Sequence, residues 1–222
     1  MAETGGKMKW RQENAENPLN GNPMLFEAAL DAFSTNSFRE ASLNDIIKAA
    51  GMNKGSFYYR FYDKLDLYLS LLQRLSVEKL ALFQQYDDTN TEDDFFVSIK
   101  KKAMLGIRFA RKEPRYNALS RRFLTEETGF RQTVLDAFGG VTENVLLRMT
   151  EDAQQKGQIR GDVSAQMMAK VFAILIERID KVILPDMEDE EILGKIDQLI
   201  AVLRDGTGVK RDKGTADQCH KA

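Results

Sequence analysis

Apolar residues recur at spacings of three and four along almost the whole chain, and no stretch alternates apolar with polar positions between turn residues. That periodicity predicts helices and no sheet, so the expected fold class is all-α. Residues 1–22 break the pattern: they are polar, rich in Asn, Glu and Gly, and closed by the breaker Asn20-Gly21-Asn22-Pro23. They are expected to form a flexible N-terminal arm in which Trp10 is either exposed, the plainer expectation, or docked on another part of the chain.

A first helix is predicted from Pro23, whose missing N–H suits a first turn. Leu25, Ala28, Ala29, Ala32 and Phe33 fall on its apolar side, and Ser34-Thr35-Asn36-Ser37 ends it. Ser42 precedes Leu43, with Asp45 in the following turn: a cap and a favourable charge for a second helix that carries Ile46, Ile47 and Ala50 and stops at Gly51. Another short helix follows from about Lys54. Two short helices joined by a tight Gly-containing turn make a helix-turn-helix.

Beyond it, a helix is predicted from Lys64 to about Tyr86, then one holding Phe96, Ile99, Ala103 and Ile107 that Pro114 ends, then a shorter one with Leu119 and Phe123. One long helix is expected through Val134, Phe138, Val141, Val145 and Met149 as far as Gly157. The two final helices, Ala165 to Leu184 and Glu188 to Arg204, are apolar over more of their circumference than packing on one side requires. Glu188, Asp189, Glu190 and Glu191 complement the dipole of the last helix. The polar, Gly-rich tail from residue 206 is expected to be disordered. The domain organisation expected is therefore an arm (1–22), a helix-turn-helix domain (23–68), a larger helical domain (69–205) and a tail (206–222).

Composition narrows the chemistry. The 222 residues are 43% hydrophobic and 30% charged, with a net charge of −2. That balance speaks against a protein that coats nucleic acid, but a sequence-specific binder needs only a local basic surface. One cysteine, Cys219, and one histidine, His220, lie side by side near the C-terminus. A lone cysteine forms no internal disulfide and fits a reducing compartment. With no further Cys or His, neither a zinc site nor a Cys–His or Ser–His catalytic centre is expected, and neither is any cofactor or enzymatic activity. The N-terminus has no apolar run of signal-peptide length. The most apolar stretch, from Met167 to Leu184, is interrupted by Lys170, Glu177, Arg178, Asp180 and Lys181, so no membrane span and a cytoplasmic location are expected.

Charge is distributed unevenly. Between Pro23 and Leu75 six cations (Arg39, Lys48, Lys54, Arg60, Lys64, Arg74) balance six anions (Glu27, Asp31, Glu40, Asp45, Asp63, Asp66). From Lys54 to Lys64, however, three cations face only Asp63. Positive potential thus gathers on the helix that would enter a major groove.

The ordered set Phe26-x2-Ala29-x3-Phe33, Phe38, Ser42-Leu43-x-Asp45-Ile46-x2-Ala49-Ala50-Gly51 and Lys54-Gly55-Ser56-Phe57-Tyr58-Tyr59-Arg60-Phe61-x2-Lys64-x2-Leu67 resembles the DNA-binding domain of the TetR family. Two positions depart from the family's habit. Ser37 stands where Gly is usual, so Asn36 or Ser37 is expected to take a left-handed turn. Arg60 stands where His is frequent, which would make a phosphate contact there independent of pH.

The resemblance implies a sequence-specific transcriptional regulator, most simply a repressor, and gives the residues their expected roles. Lys54 would reach base acceptors or a phosphate, Gly55 would let backbone approach DNA, and Ser56 would meet a base edge or phosphate. Tyr58 and Tyr59 would contact phosphates, sugars or thymine methyls, although adjacent tyrosines point about 100° apart and one could be core. Arg60 would contact phosphate or pair with Asp63. Ser42 would cap its helix and offer a hydrogen bond to phosphate. Lys64 resembles the family's phosphate-binding lysine, and Phe57 and Phe61 would be core.

A palindromic double-stranded operator needs a two-fold symmetric reader. The last two helices are therefore expected to pair in a homodimer through Phe172, Leu175, Ile179, Ile192, Ile196, Leu199 and Leu203. The resemblance also implies a small, largely apolar effector that releases the operator. Met104, Arg108, Phe109, Tyr116, Phe123, Phe138 and Phe172 are the candidates to line its pocket. The alternative is a DNA-binding protein with no small-molecule effector, controlled by a protein partner.

Overall fold

The computed structural model describes residues 7–89, 94–138, 141–177, 182 and 187–207. Every regular element among them is an α-helix: α1 (Lys9–Gln12), α2 (Pro23–Thr35), α3 (Leu43–Ala49), α4 (Lys54–Arg60), α5 (Lys64–Thr89), α6 (Phe95–Lys112), α7 (Pro114–Thr125), α8 (Thr128–Ala137), α9 (Val141–Gln155), α10 (Ala165–Glu177) and α11 (Asp189–Thr207). The tail from residue 208, with Cys219 and His220, lies outside the described residues, as does Ile179. No described helix is long and apolar enough to cross a membrane. The chain divides into two compact units, Met1–Thr91 with Lys102–Val141, and Glu92–Lys101 with Thr142–Ala222.

The first unit is built around α2. Asn22 accepts the Leu25 N–H at 3.0 Å and Pro23 occupies the first turn, so the helix starts where the sequence predicts. Its inner face (Leu25, Phe26, Ala29, Leu30 and Phe33) packs with Ile46 and Ile47 of α3, Phe57 of α4, Leu67, Tyr68 and Leu71 of α5, Leu119 of α7 and Val134 of α8. Phe33, Phe38, Tyr68 and Phe130 form an aromatic cluster. Tyr68 stands edge-on to Phe33 at 4.9 Å and Phe38 stacks on Phe130 at 4.3 Å. Burial holds the Tyr68 phenol above the ordinary tyrosine range. α7 is tied to α2 at the surface, where Arg115 pairs with Glu27, Asp31 and Glu113 and Arg122 donates to the Thr35 carbonyl at 2.5 Å. The helix-turn-helix expected over 23–68 lies within this unit, which also takes in α7 and α8.

Three sequence expectations need correction here. The first concerns the N-terminal arm, which is packed rather than flexible from residue 8 onward: Met8, Trp10, Asn17 and Leu19 are buried, and Leu19 is fully enclosed. The reason lies in α5, whose inner face carries Asp66, Ser70 and Gln73 at helical spacing. Buried polar groups require partners, and the N-terminal segment provides them. The Trp10 indole N–H donates to Ser70 Oγ at 2.8 Å, and the Asn17 amide donates to the Ser70 carbonyl at 2.8 Å and to Gln73 at 2.9 Å. Arg74 of α5 closes the segment by donating to the Leu19 carbonyl at 2.5 Å, its guanidinium stacked on Phe26.

The second correction concerns the turn after α2. Asn36 is extended (φ −115°), and neither it nor Ser37 takes a left-handed conformation. Ser37 instead behaves as a cap. Its hydroxyl donates to Glu40 at 2.7 Å and accepts the Glu40 N–H at 3.3 Å, so the turn closes without a glycine. Third, the single long helix through Val134 and Met149 is two helices. α8 ends at Ala137, Phe138 stands in a turn, and α9 begins at Val141. The Phe138 N–H turns back to the Leu135 carbonyl at 3.1 Å, three residues earlier, which closes the helical ladder there.

In the second unit, residues 95–101 of α6 join α9, α10 and α11. Phe95, Phe96, Leu146, Met168, Phe172, Ile192, Ile196 and Ile200 are buried there. Phe95 meets Phe172 at 5.5 Å, Arg204 lies over Phe96, and Lys100 pairs with Asp197. Gly157 (φ +65°) ends α9 in the left-handed conformation that glycine adopts without steric cost. Gln154 fixes the following turn by donating to the Arg160 and Val163 carbonyls.

Candidate nucleic-acid interface

α3 and α4 are short, and each is stabilised chiefly by its caps and by the core beneath it. Ser42 Oγ accepts the Asp45 N–H at 3.3 Å, as its place before Leu43 predicts. Gly51 (φ +64°) turns the chain out of α3. Asn53 then caps α4 by accepting the Ser56 N–H at 2.8 Å, a cap not anticipated from sequence. Phe57 and Phe61, stacked at 5.1 Å and fully buried, hold one side of α4 in the core as expected.

The opposite side of α4 is open. Lys54 and Gly55 are exposed at its first turn, and Ser56 is half-buried. Tyr58 and Tyr59 are 50% and 77% exposed, so neither ring is core and both can meet a partner. A Cβ at Gly55 would sit 3.3 Å from the Asn53 side-chain oxygen, so this glycine leaves room for the cap as well as for an approaching backbone. Arg60 does not pair with Asp63. It donates to the Ser56 carbonyl at 2.8 Å and lies over the Tyr59 ring at 5.8 Å, which keeps its charge beside the tyrosines. Ser42, also exposed, presents the start of α3. Ser42, Lys54, Gly55, Tyr58 and Tyr59 thus combine exposure with hydrogen-bonding or cationic groups, as a surface that reads DNA requires.

Lys64 is placed differently from its expected role. Its ammonium donates to the carbonyls of Phe38 at 2.6 Å, Ala41 at 2.8 Å and Arg39 at 3.3 Å, and lies over the Phe38 ring. All three of its donors are directed at backbone. Burial pushes the ammonium below the ordinary lysine range, with Glu126 opposing the shift. Glu126 fixes the same turn, accepting the Phe38 N–H at 2.6 Å. Lys64 and Glu126 therefore brace the turn that leads into α3, where the sequence suggested a phosphate contact.

The effector candidates fall in both units. Met104, Phe109, Tyr116, Phe123 and Phe138 are half-buried in the first, with Phe109 stacked on Tyr116 at 5.2 Å, and Arg108 is exposed. Tyr116, Phe123 and Phe138 pack against the core of that unit. Phe172 belongs to the core of the second unit. Among the dimer candidates Phe172, Ile192 and Ile196 are likewise buried within their own chain, whereas Leu175, Leu199 and Leu203 are half-buried. The exposed apolar residues on α10 are Met167, Val171 and Ile174, spaced as one helical stripe; they belong to the broad apolar circumference expected for this helix but not to the dimer candidates.

Residues 25–71 match the family model of bacterial regulatory proteins, tetR family. The chain is 26% identical over 151 residues to the probable acrEF/envCD operon repressor of Escherichia coli, covering 65% of this chain and 67% of that protein. It is 27% identical over 176 residues to the HTH-type transcriptional regulator UidR of the same organism, covering 76% and 82%. Among solved structures, a TetR family transcriptional regulator from Chloroflexus aurantiacus superposes with a TM-score of 0.60 at 23% identity, covering 92% of this chain and all of that one.

Proposed function

We propose that this chain, whose residues 25–71 match the tetR family model, is a DNA-binding transcriptional regulator of that family and acts as a homodimeric repressor released from a palindromic operator by a small, largely apolar ligand. The observation that carries the DNA-reading surface is α4, a capped helix held from behind by Phe57 and Phe61 that turns Lys54, Tyr58 and Tyr59 outward. A helix of this length spans only a few base pairs, which favours two copies on symmetric half-sites. Support for the dimer comes from the Met167, Val171 and Ile174 stripe, since an apolar helix face left open in one chain suits a two-fold interface. Support for an apolar effector comes from the half-buried Met104, Phe109 and Tyr116, soft and aromatic groups that suit a large apolar ligand.

Selection of duplexes from a random library by the full chain tests the reading. A recovered sequence with two symmetric half-sites supports it, and recovery of no preferred sequence overturns it. A thermal-shift screen against hydrophobic compounds tests the effector. Stabilisation by a compound that also weakens duplex binding supports release by ligand, and persistent absence of stabilisation favours control through a protein partner.

A further inference from the structure

Helix α4 is seven residues long, and a helix leaves its last four carbonyls without partners inside itself. The Phe57 carbonyl is taken by the Phe61 N–H at 3.0 Å. The next two, of Tyr58 and Tyr59, accept hydrogen bonds from Lys9 Nζ at 3.1 and 2.8 Å. A cation at a helix C-terminus also opposes the negative end of the dipole. The same ammonium lies 5.9 Å from the Tyr59 ring centroid and 5.6 Å from that of Tyr62. Gln12 accepts the Tyr62 hydroxyl proton at 2.8 Å. An element some fifty residues away in sequence thus grips the outer end of α4 and the ring of its most exposed tyrosine.

The grip is anchored on its far side. The Lys9 backbone N–H donates to Asp66 Oδ2 at 3.1 Å, and the same oxygen accepts the Tyr62 N–H at 2.9 Å. The neighbouring Trp10 bonds Ser70, whose hydroxyl donates to Asp66 Oδ1 at 3.3 Å. Trp10, Asn17 and Leu19 are buried along α5. Lys9 is therefore held at both ends of its side chain: its backbone by the start of α5, its ammonium by the end of α4.

We propose that residues 8–19 form a strap that sets the orientation of α4 and of the Tyr59 ring for DNA, with Lys9 as the positioning residue that acts through α4 and not by touching DNA. The inference rests on α4 being the recognition helix. Its energetic logic is that a two-turn helix has little stability of its own. Its orientation is then decided by the Phe57 and Phe61 contacts with the core and by whatever fixes its ends. Asn53 fixes one end, and Lys9 fixes the other.

A phosphate contact and a positioning cap differ in salt dependence. Each phosphate contact contributes about 0.9 to the slope of log affinity against log salt, and a cap contributes nothing. The experiment uses the full chain, a duplex selected by the wild-type protein and a random-sequence duplex, measured by anisotropy over a range of KCl. Lys9→Met keeps the apolar stem and removes the donors. The expected result is about tenfold weaker binding to the selected duplex, corresponding to about 1.4 kcal/mol, with an unchanged salt slope and unchanged random-duplex affinity. Lys9→Arg, which still donates to carbonyls, is expected to restore most of the loss. Trp10 is the only tryptophan in the chain, so its emission reports docking of the strap and is expected to match wild type in both variants.

Wild-type affinity in Lys9→Met would overturn the proposal. A salt slope reduced by about one unit, with selected and random affinities falling together, would also overturn it and make Lys9 a phosphate contact. If Lys9→Met fails to fold, Lys9→Ala decides: it also removes the donors, so weaker binding to the selected duplex with an unchanged salt slope supports the strap and wild-type affinity overturns it. If the wild-type chain selects no duplex, the DNA-binding reading fails and the strap's role goes with it. Equal affinities on a selected duplex remove the strap alone.

Discussion

Lys54, Tyr59 and Lys64 share a short basic segment, yet their surroundings give them different work. Lys54 and Tyr59 are exposed and bear on no core residue, so Lys54→Ala and Tyr59→Ala are expected to weaken duplex binding while urea-unfolding stability changes by less than about 0.5 kcal/mol. Lys64→Met is expected to do the reverse in emphasis. It orphans the carbonyls of Phe38 and Ala41, at a cost of about 1–3 kcal/mol in urea unfolding, and it weakens DNA binding only through the turn it braces. A full loss of stability in Tyr59→Ala, or none in Lys64→Met, would reverse these assignments. Asp66 makes a separate prediction. Burial raises its carboxyl above the ordinary aspartate range, against the opposing effect of the Tyr62 and Lys9 N–H groups. A folded-state pKa above the unfolded one means that this group's contribution is fully present below the unfolded value and is lost as pH rises through the folded one. Asp66→Asn removes that dependence and keeps an oxygen for the two N–H groups. The stability of wild type relative to Asp66→Asn is therefore expected to fall as pH is raised from about 4 to about 7, measured by urea unfolding at each pH.

Helices of this protein are bounded mostly by signals that act locally. Pro23 with Asn22, Ser42 and Gly51 mark their ends in the sequence and hold those positions in the structure. Where an end is fixed from a distance, the local signal misleads. Ser37 stands in a turn that suggests a left-handed residue, but the backbone there is not left-handed and the Ser37 hydroxyl and Glu40 carboxylate satisfy the turn between them. Ser37→Gly is therefore expected to lower the thermal midpoint, since it removes those hydrogen bonds and adds unfolded-state freedom. A raised midpoint would mean that the turn is strained after all. The same turn receives Lys64 from α5 and Glu126 from the end of α7. Neither partner is within twenty residues of Ser37, so no window of sequence around the turn could have shown them.

For the whole molecule the proposed dimer is the step on which operator reading depends. Val171 and Ile174 are 40% and 60% exposed on α10. The double substitution Val171→Glu with Ile174→Glu is expected to leave helicity unchanged and to convert a dimer to a monomer in sedimentation velocity. Affinity for a palindromic duplex should then fall far below that of the dimer, because two half-sites are no longer engaged by one molecule. A dimer that survives this change would place the interface elsewhere.

The sequence by itself determined the helical class, the start of each helix from α2 to α5 to within a residue or so, the core role of Phe57 and Phe61, and the exposed basic segment proposed to read DNA. These properties follow from periodicity, caps and local charge, all of which act within a few residues. Only the tertiary structure decided that both Tyr58 and Tyr59 face outward, that Lys64 spends its donors on carbonyls, that Phe172, Ile192 and Ile196 are core, and that the N-terminal segment is docked. The physical reason is common to all four. A helical residue's burial, and the partner of a polar group, depend on which distant element lies over it, and the composition of its own segment does not record that. Asp66, Ser70 and Gln73 on the inner face of α5 were the one trace left in the sequence: three polar groups at helical spacing that needed partners, met by Lys9, Trp10 and Asn17.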